Sequence, residues 1–82
     1  NFRYLGKKTD DSLVVEFLKD LDIELDATAI HVKVFEFSKS KNLIPKELFK
    51  RLYISLIGKE KGPRIGKLIF TLGVEKVKND LL

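Results

Sequence analysis

Cysteine is absent from this chain of 82 residues, which excludes disulfides and thiolate metal sites and leaves the compartment unmarked. Histidine is almost absent: His31 stands alone, so a histidine-rich zinc site is excluded. A Ser–His–Asp arrangement would have to use His31, and no Gly-x-Ser-x-Gly turn presents a nucleophile. His31 reads instead as a helix-surface or boundary residue. No apolar run approaches the roughly 20 residues needed to span a bilayer. The first residues, Asn1-Phe2-Arg3-Tyr4, lack the apolar stretch of a signal peptide. The chain starts on Asn rather than Met, and a longer parent chain is expected.

What is present is globular in composition, with 44% hydrophobic and 34% charged residues. This length makes one domain at most, and a chain this short buries only about 60% of the surface its unfolded form exposes. The net charge of +4 is uneven. Residues 1–41 hold seven Lys/Arg against eight Asp/Glu, whereas residues 42–82 hold nine against four. A basic half fits either a footprint for a polyanion or a solvated lysine surface.

Helical periodicity dominates. Residues 1–9 form a polar lead-in, broken by Gly6. Asp10, Asp11 and Ser12 offer N-caps, and Leu13, Phe17, Leu18 and Leu21 share one face, which predicts a helix over 11–21. Residues 30–34 alternate like a strand. The same stretch places Ala27, Ile30, Val34 and Phe37 at helical spacing behind a capping Asp26. A lone strand would leave its backbone groups unpaired, so a helix is predicted over 27–40. Pro45 opens a third helix, with Leu48, Phe49, Leu52, Tyr53, Leu56 and Ile57 in its stripe and Gly58 as a left-handed stop. Pro63 is expected to open a fourth, with Ile65, Leu68, Ile69 and Leu72 inward and Gly73 ending it. Val74, Val77 and Leu81 suggest a short fifth. The fold class is therefore all-α: a small bundle of four to five short helices over 10–82, orthogonally packed or part of a larger helical domain.

Two loops carry chemical possibilities. The acidic run Asp20, Asp22, Glu24 and Asp26 lacks the turn glycine and terminal bidentate Glu of a calcium loop. The run Gly58–Lys67 places Lys59, Lys61, Arg64 and Lys67 together, opposed only by Glu60. It has no Gly-Lys-Ser/Thr ending, so it is not a Walker-type phosphate loop. A helix opening at Pro63 would aim backbone N–H groups at an anion, and Gly66 would permit a close approach. That pattern fits phosphate contacts on a nucleic acid. It fits equally a packed helical turn with Gly66 at a helix crossing and its lysines in water. Phe17, Phe35, Phe37, Phe49, Tyr53 and Phe70 are expected mostly in the core. Phe2 and Tyr4 lie outside the stripes, free to stack on bases or to dock on a preceding segment.

Residues 43–69 resemble the C-terminal end of class I lysyl-tRNA synthetases. The resemblance rests on Phe49, Tyr53, Leu56, Gly58, Lys59 and Glu60, then Gly62, Pro63, Arg64 and Gly66, then Leu72 and Gly73. It is strong over 43–82, weaker over 10–42 and not evident over 1–9. It implies an all-α anticodon-binding domain of the α-helix-cage type within a cytoplasmic lysine–tRNA ligase. The partners implied are tRNA and the remainder of the synthetase chain, with no membrane, and a monomer is expected. The full enzyme would use ATP; no cofactor is expected in this segment. The family's catalytic signatures, His-Ile-Gly-His and Lys-Met-Ser-Lys-Ser, are missing, and Ser38-Lys39-Ser40-Lys41 is not a remnant of the second. No catalytic or metal-binding residue is assigned. Lys59, Lys61, Arg64 and Lys67 are the expected RNA-phosphate contacts. A glutamyl-tRNA synthetase end domain and a helical protein-interaction module are the competing readings.

Overall fold

The computed structural model describes residues 2–82. Among them the chain forms five helices and no strand: α1 (Ser12–Lys19), α2 (Ala27–Ser40), α3 (Pro45–Ile57), α4 (Ile65–Leu72) and α5 (Val74–Leu81). The all-α expectation holds, and the strand alternative for residues 30–34 is excluded because Ile30, Val34 and Phe37 bury one face of α2.

Capping chemistry sets the helix bounds. Asp11 sits outside α1 in extended conformation, and its carboxylate accepts from the N–H groups of Leu13 at 3.0 Å and Val14 at 3.4 Å. The predicted 11–21 helix is thus shorter at both ends. Leu21 lies beyond the helix yet is buried, tied back by its N–H to the Leu18 carbonyl. Asp26 caps α2 through the Ala29 N–H at 2.8 Å. Pro45 starts α3, and Gly58, at φ +71°, ends it.

Helix α4 departs from expectation, beginning at Ile65 rather than at Pro63. Arg64, at φ −50° and ψ 126°, is not helical, and the Pro63 carbonyl accepts a hydrogen bond from the Tyr53 hydroxyl. A tertiary contact therefore holds Pro63 outside the helix.

One core gathers all five helices. Val14, Phe17 and Leu18 meet Ile30, Val34 and Phe37, then Leu48, Leu52 and Leu56, and finally Ile65, Ile69, Val77 and Leu81. Each such side chain contributes about 1.5–3 kcal/mol on full burial. Phe17 and Phe37 meet edge-to-face at 5.4 Å. Phe35 and Phe70, expected in the core, are about half exposed. Phe35 follows core residue Val34, and the 100° step of the helix turns it away.

The lead-in segment is tied to the bundle. Leu5 N–H reaches the Leu56 carbonyl at 2.8 Å, and Thr9 N–H reaches that of Leu81 at 3.0 Å. Tyr4 donates its hydroxyl to Asp80 at 2.8 Å, with the Lys76 ammonium 5.7 Å from its ring. Burial, then that carboxylate, raises the phenol's pKa. Tyr4 thus docks on α5 of this chain, which corrects both readings offered for it. Phe2 remains exposed.

Candidate nucleic-acid interface

The basic run leaves α3 at Gly58 and enters α4 at Ile65. Its glycines are structural. A Cβ on Gly62 would lie 2.7 Å from the Ile57 Cδ1 and 3.2 Å from the Tyr53 ring. With the Tyr53–Pro63 hydrogen bond, this seats the loop on the last turns of α3. Burial raises the Tyr53 pKa, keeping its phenol a donor. A Cβ on Gly66 would lie 2.1 Å from the Ala27 carbonyl oxygen and 3.1 Å from both N and Cβ of His31. Gly66 is therefore the crossing point of α4 on α2, as the packing reading of this segment expected.

Between these anchors the charged side chains face solvent. Lys59 and Lys61 lie in the loop, Arg64 at the N-cap of α4, and Lys67 in its first turn; all four are exposed. No side chain caps α4 and no acidic residue lies in its first turn. Arg64 also reaches inward electrostatically. His31 has an Nδ1 that is buried without a partner, and its pKa is lowered first by burial and then by the Arg64 charge. His31 is boxed by Phe35 at 5.4 Å and Phe49 at 5.3 Å, which places it at the α2–α3–α4 boundary, in line with its reading.

Lys61 alone of the four lines an open groove of about 540 Å³ between α3 and the loop. Ile44, Phe49 and Tyr53 supply its apolar surface, and Lys46 and Lys50 its further cations. Glu47 and Glu60 also line it. Glu47 accepts from the Arg51 Nε at 3.3 Å, and Glu60 lies 3.8 Å from the Lys50 ammonium. Lys46 and Lys50 lie off the apolar stripe expected for α3 and were not among the expected contacts. The signal that marks them is their spacing of four, interleaved with the same spacing of Phe49 and Tyr53. Lys7 and Lys8 line a separate depression with Asp10, Asp11, Leu5, Ile54 and Gly58, beside the start of the basic loop.

The acidic run is structural. Asp20 pairs with Lys33 at 3.0 Å, Asp22 accepts from the Glu24 N–H, and Asp26 is a helix cap. Among the described residues no group of three or more potential ligands is placed for a metal, and no helix is long and apolar enough to cross a membrane.

The sequence family described as an anticodon binding domain matches residues 8–81. A lysine–tRNA ligase of Methanococcus maripaludis is 40% identical over 62 residues, which cover 74% of this chain and 12% of that protein. The lysine–tRNA ligase of Thermoplasma acidophilum is 31% identical over 71 residues, covering 85% of this chain and 14% of that protein. That of Borrelia garinii is 29% identical over 71 residues, covering 87% and 13%. The chain thus spans about an eighth of the length of these relatives. With the family match running through all five helices, the chain belongs to the anticodon-binding domain family.

Proposed function

We propose that this chain is the C-terminal tRNA-binding domain of a class I lysine–tRNA ligase, one helical unit over 1–82 within a longer, cytoplasmic, monomeric enzyme. ATP-dependent attachment of lysine would occur in a catalytic domain outside these residues, and this segment would hold the anticodon region of the tRNA. The observation that carries this reading is the loop between α3 and α4, whose glycines are absorbed by packing while Lys59, Lys61, Arg64 and Lys67 stay in solvent beside an uncapped helix start. Exposed cations so arranged suit phosphate contacts, which position a nucleic acid without reading its sequence.

The test is a titration with labelled lysine and glutamate anticodon stem-loops at two salt concentrations. The reading expects a preference for the lysine stem-loop and an affinity that falls steeply with salt through counterion release. Arg64→Glu should weaken binding and flatten the salt slope by about one or more. A preference for the glutamate stem-loop would transfer the domain to a glutamyl-tRNA synthetase. No binding to either would leave a structural subdomain that needs the rest of the chain to bind RNA, or the protein-interaction module.

A further inference from the structure

We infer that the lead-in residues Tyr4 and Leu5 are positioning residues for RNA binding: they fix the end of α3 from which the basic loop presents Lys59 and Lys61. This rests on the tRNA-binding reading and goes beyond it, since cations in solvent explain phosphate contacts but not what holds them in place.

Three observations carry it. The first is where the lead-in puts its backbone donors. The last carbonyls of a helix have no partner within that helix. Leu5 N–H meets the Leu56 carbonyl at 2.8 Å in the last turn of α3, and Thr9 N–H meets that of Leu81 at 3.0 Å, at the end of α5. The Thr9 hydroxyl also lies 3.2 Å from that of Ser55 on α3. The lead-in therefore straps two helix ends together.

The second is the Leu5 side chain. A Cβ on Gly58 would lie 3.5 Å from the Leu5 Cδ1, an ordinary contact, so Leu5 covers the residue at which the loop leaves α3. Gly58 turns the chain there with a left-handed φ of +71°. The Tyr53–Pro63 hydrogen bond holds the far end of the loop. Lys59 and Lys61 run between these two anchors, and the lead-in supplies the nearer one.

The third is what holds Leu5. Its neighbour Tyr4 is fixed to α5 by the hydrogen bond to Asp80 and by the Lys76 ammonium near its ring. Gly6, at φ +58° with the Tyr4 ring 3.1 Å from where a Cβ would lie, turns the strap back toward α5. Tyr4 and Leu5 precede the matched family residues 8–81, so this support lies outside them.

The test compares wild type with Tyr4→Ala and with Leu5→Pro, which deletes the N–H that meets Leu56. Circular dichroism establishes that each variant is folded. Each should bind the lysine anticodon stem-loop about five- to tenfold more weakly. The salt slope should also fall by about one, because a loop freed at one end gives up a phosphate contact. A variant that had merely lost folded molecules would keep the wild-type slope. The coupling is reciprocal, so saturating wild type with the stem-loop should slow hydrogen exchange at the Leu5 amide. Wild-type affinity in both folded variants, weaker binding at an unchanged salt slope, or Leu5 exchange indifferent to bound RNA each overturns the positioning role and leaves the tRNA reading intact. If neither variant folds, the exchange measurement on wild type decides alone. Wild type that binds no stem-loop also overturns the role, since these residues then hold no RNA of their own, and it is the one outcome that counts against the tRNA reading too.

Discussion

Substituting Gly66 by Ala opposes two effects of different sign. Gly66 lies in the first turn of α4 at an ordinary helical position, where Ala is the better helix former by about 1 kcal/mol. Propensity alone therefore predicts a more stable protein. The added methyl, however, would sit 2.1 Å from the Ala27 carbonyl oxygen, where ordinary contact is about 3.5 Å. That oxygen belongs to the main chain of α2 and cannot swing aside as a side chain can. Relief requires α4 to back away from α2 by more than an ångström, and α4 carries the buried Ile65, Leu68 and Ile69. Overpacking of this kind costs typically 1–3 kcal/mol, occasionally more, and this clash lies at the upper end.

The net expectation is a loss of about 2 kcal/mol after the propensity gain. In a domain of this size each kcal/mol shifts Tm by about 4–8 °C, so Gly66→Ala should melt roughly 10 °C below wild type. Thermal and urea unfolding followed by far-ultraviolet circular dichroism reads the change. Ala27→Gly should not rescue the variant, because the obstructing atom is backbone. A variant as stable as wild type, or more so, would refute the helix-crossing account and leave propensity as the governing effect.

Two further outcomes follow from the same contacts. Asp11 both caps α1 and meets the Arg51 Nη1 with its two carboxylate oxygens at 3.1 Å. Asp11→Ala should cost about 2 kcal/mol in urea unfolding, whereas Asp11→Asn, which retains a capping oxygen, should cost under about 1 kcal/mol; equal losses would remove the cap from the account. For His31, burial and then Arg64 lower the folded pKa from 6.5, so below about pH 7 the unfolded chain binds more protons than the folded one. Stability should accordingly fall as pH drops from about 7.5 to 5.5, and His31→Leu should flatten that part of the Tm profile. A profile unchanged by the substitution would sink the assignment.

The parts of the fold readable in the sequence are those fixed within one turn of chain. Helices α2 and α3 begin and end where Asp26, Pro45 and Gly58 indicate, because a carboxylate cap, a ring-fixed φ and a left-handed stop act locally. The missed features are tertiary. Pro63 is a good first residue for a helix, but its carbonyl is claimed by Tyr53, ten residues earlier. Tyr4 reads as an unpartnered aromatic until α5 brings Asp80 to it from 76 positions away. Lys46 and Lys50 look like any polar helix face until the loop closes a groove against them.

The glycines of the basic run separate shape from charge. Gly58, Gly62 and Gly66 recur every fourth residue, yet each is needed for a different reason. Gly58 adopts a left-handed conformation, Gly62 makes room for the Tyr53 ring and the Ile57 methyl, and Gly66 admits the backbone of α2. None of these reasons involves a ligand. Spacing alone thus could not tell a phosphate cradle from a packed turn: the glycines pack, as the packing reading expected, and the cations between them are exposed, which suits either reading. The consequence is experimental. Changes at the glycines should reach RNA binding only through the fold, whereas changes at Lys61 or Arg64 should alter binding with Tm nearly unmoved. The two classes of variant therefore divide, within ten residues, what builds the surface from what the surface does.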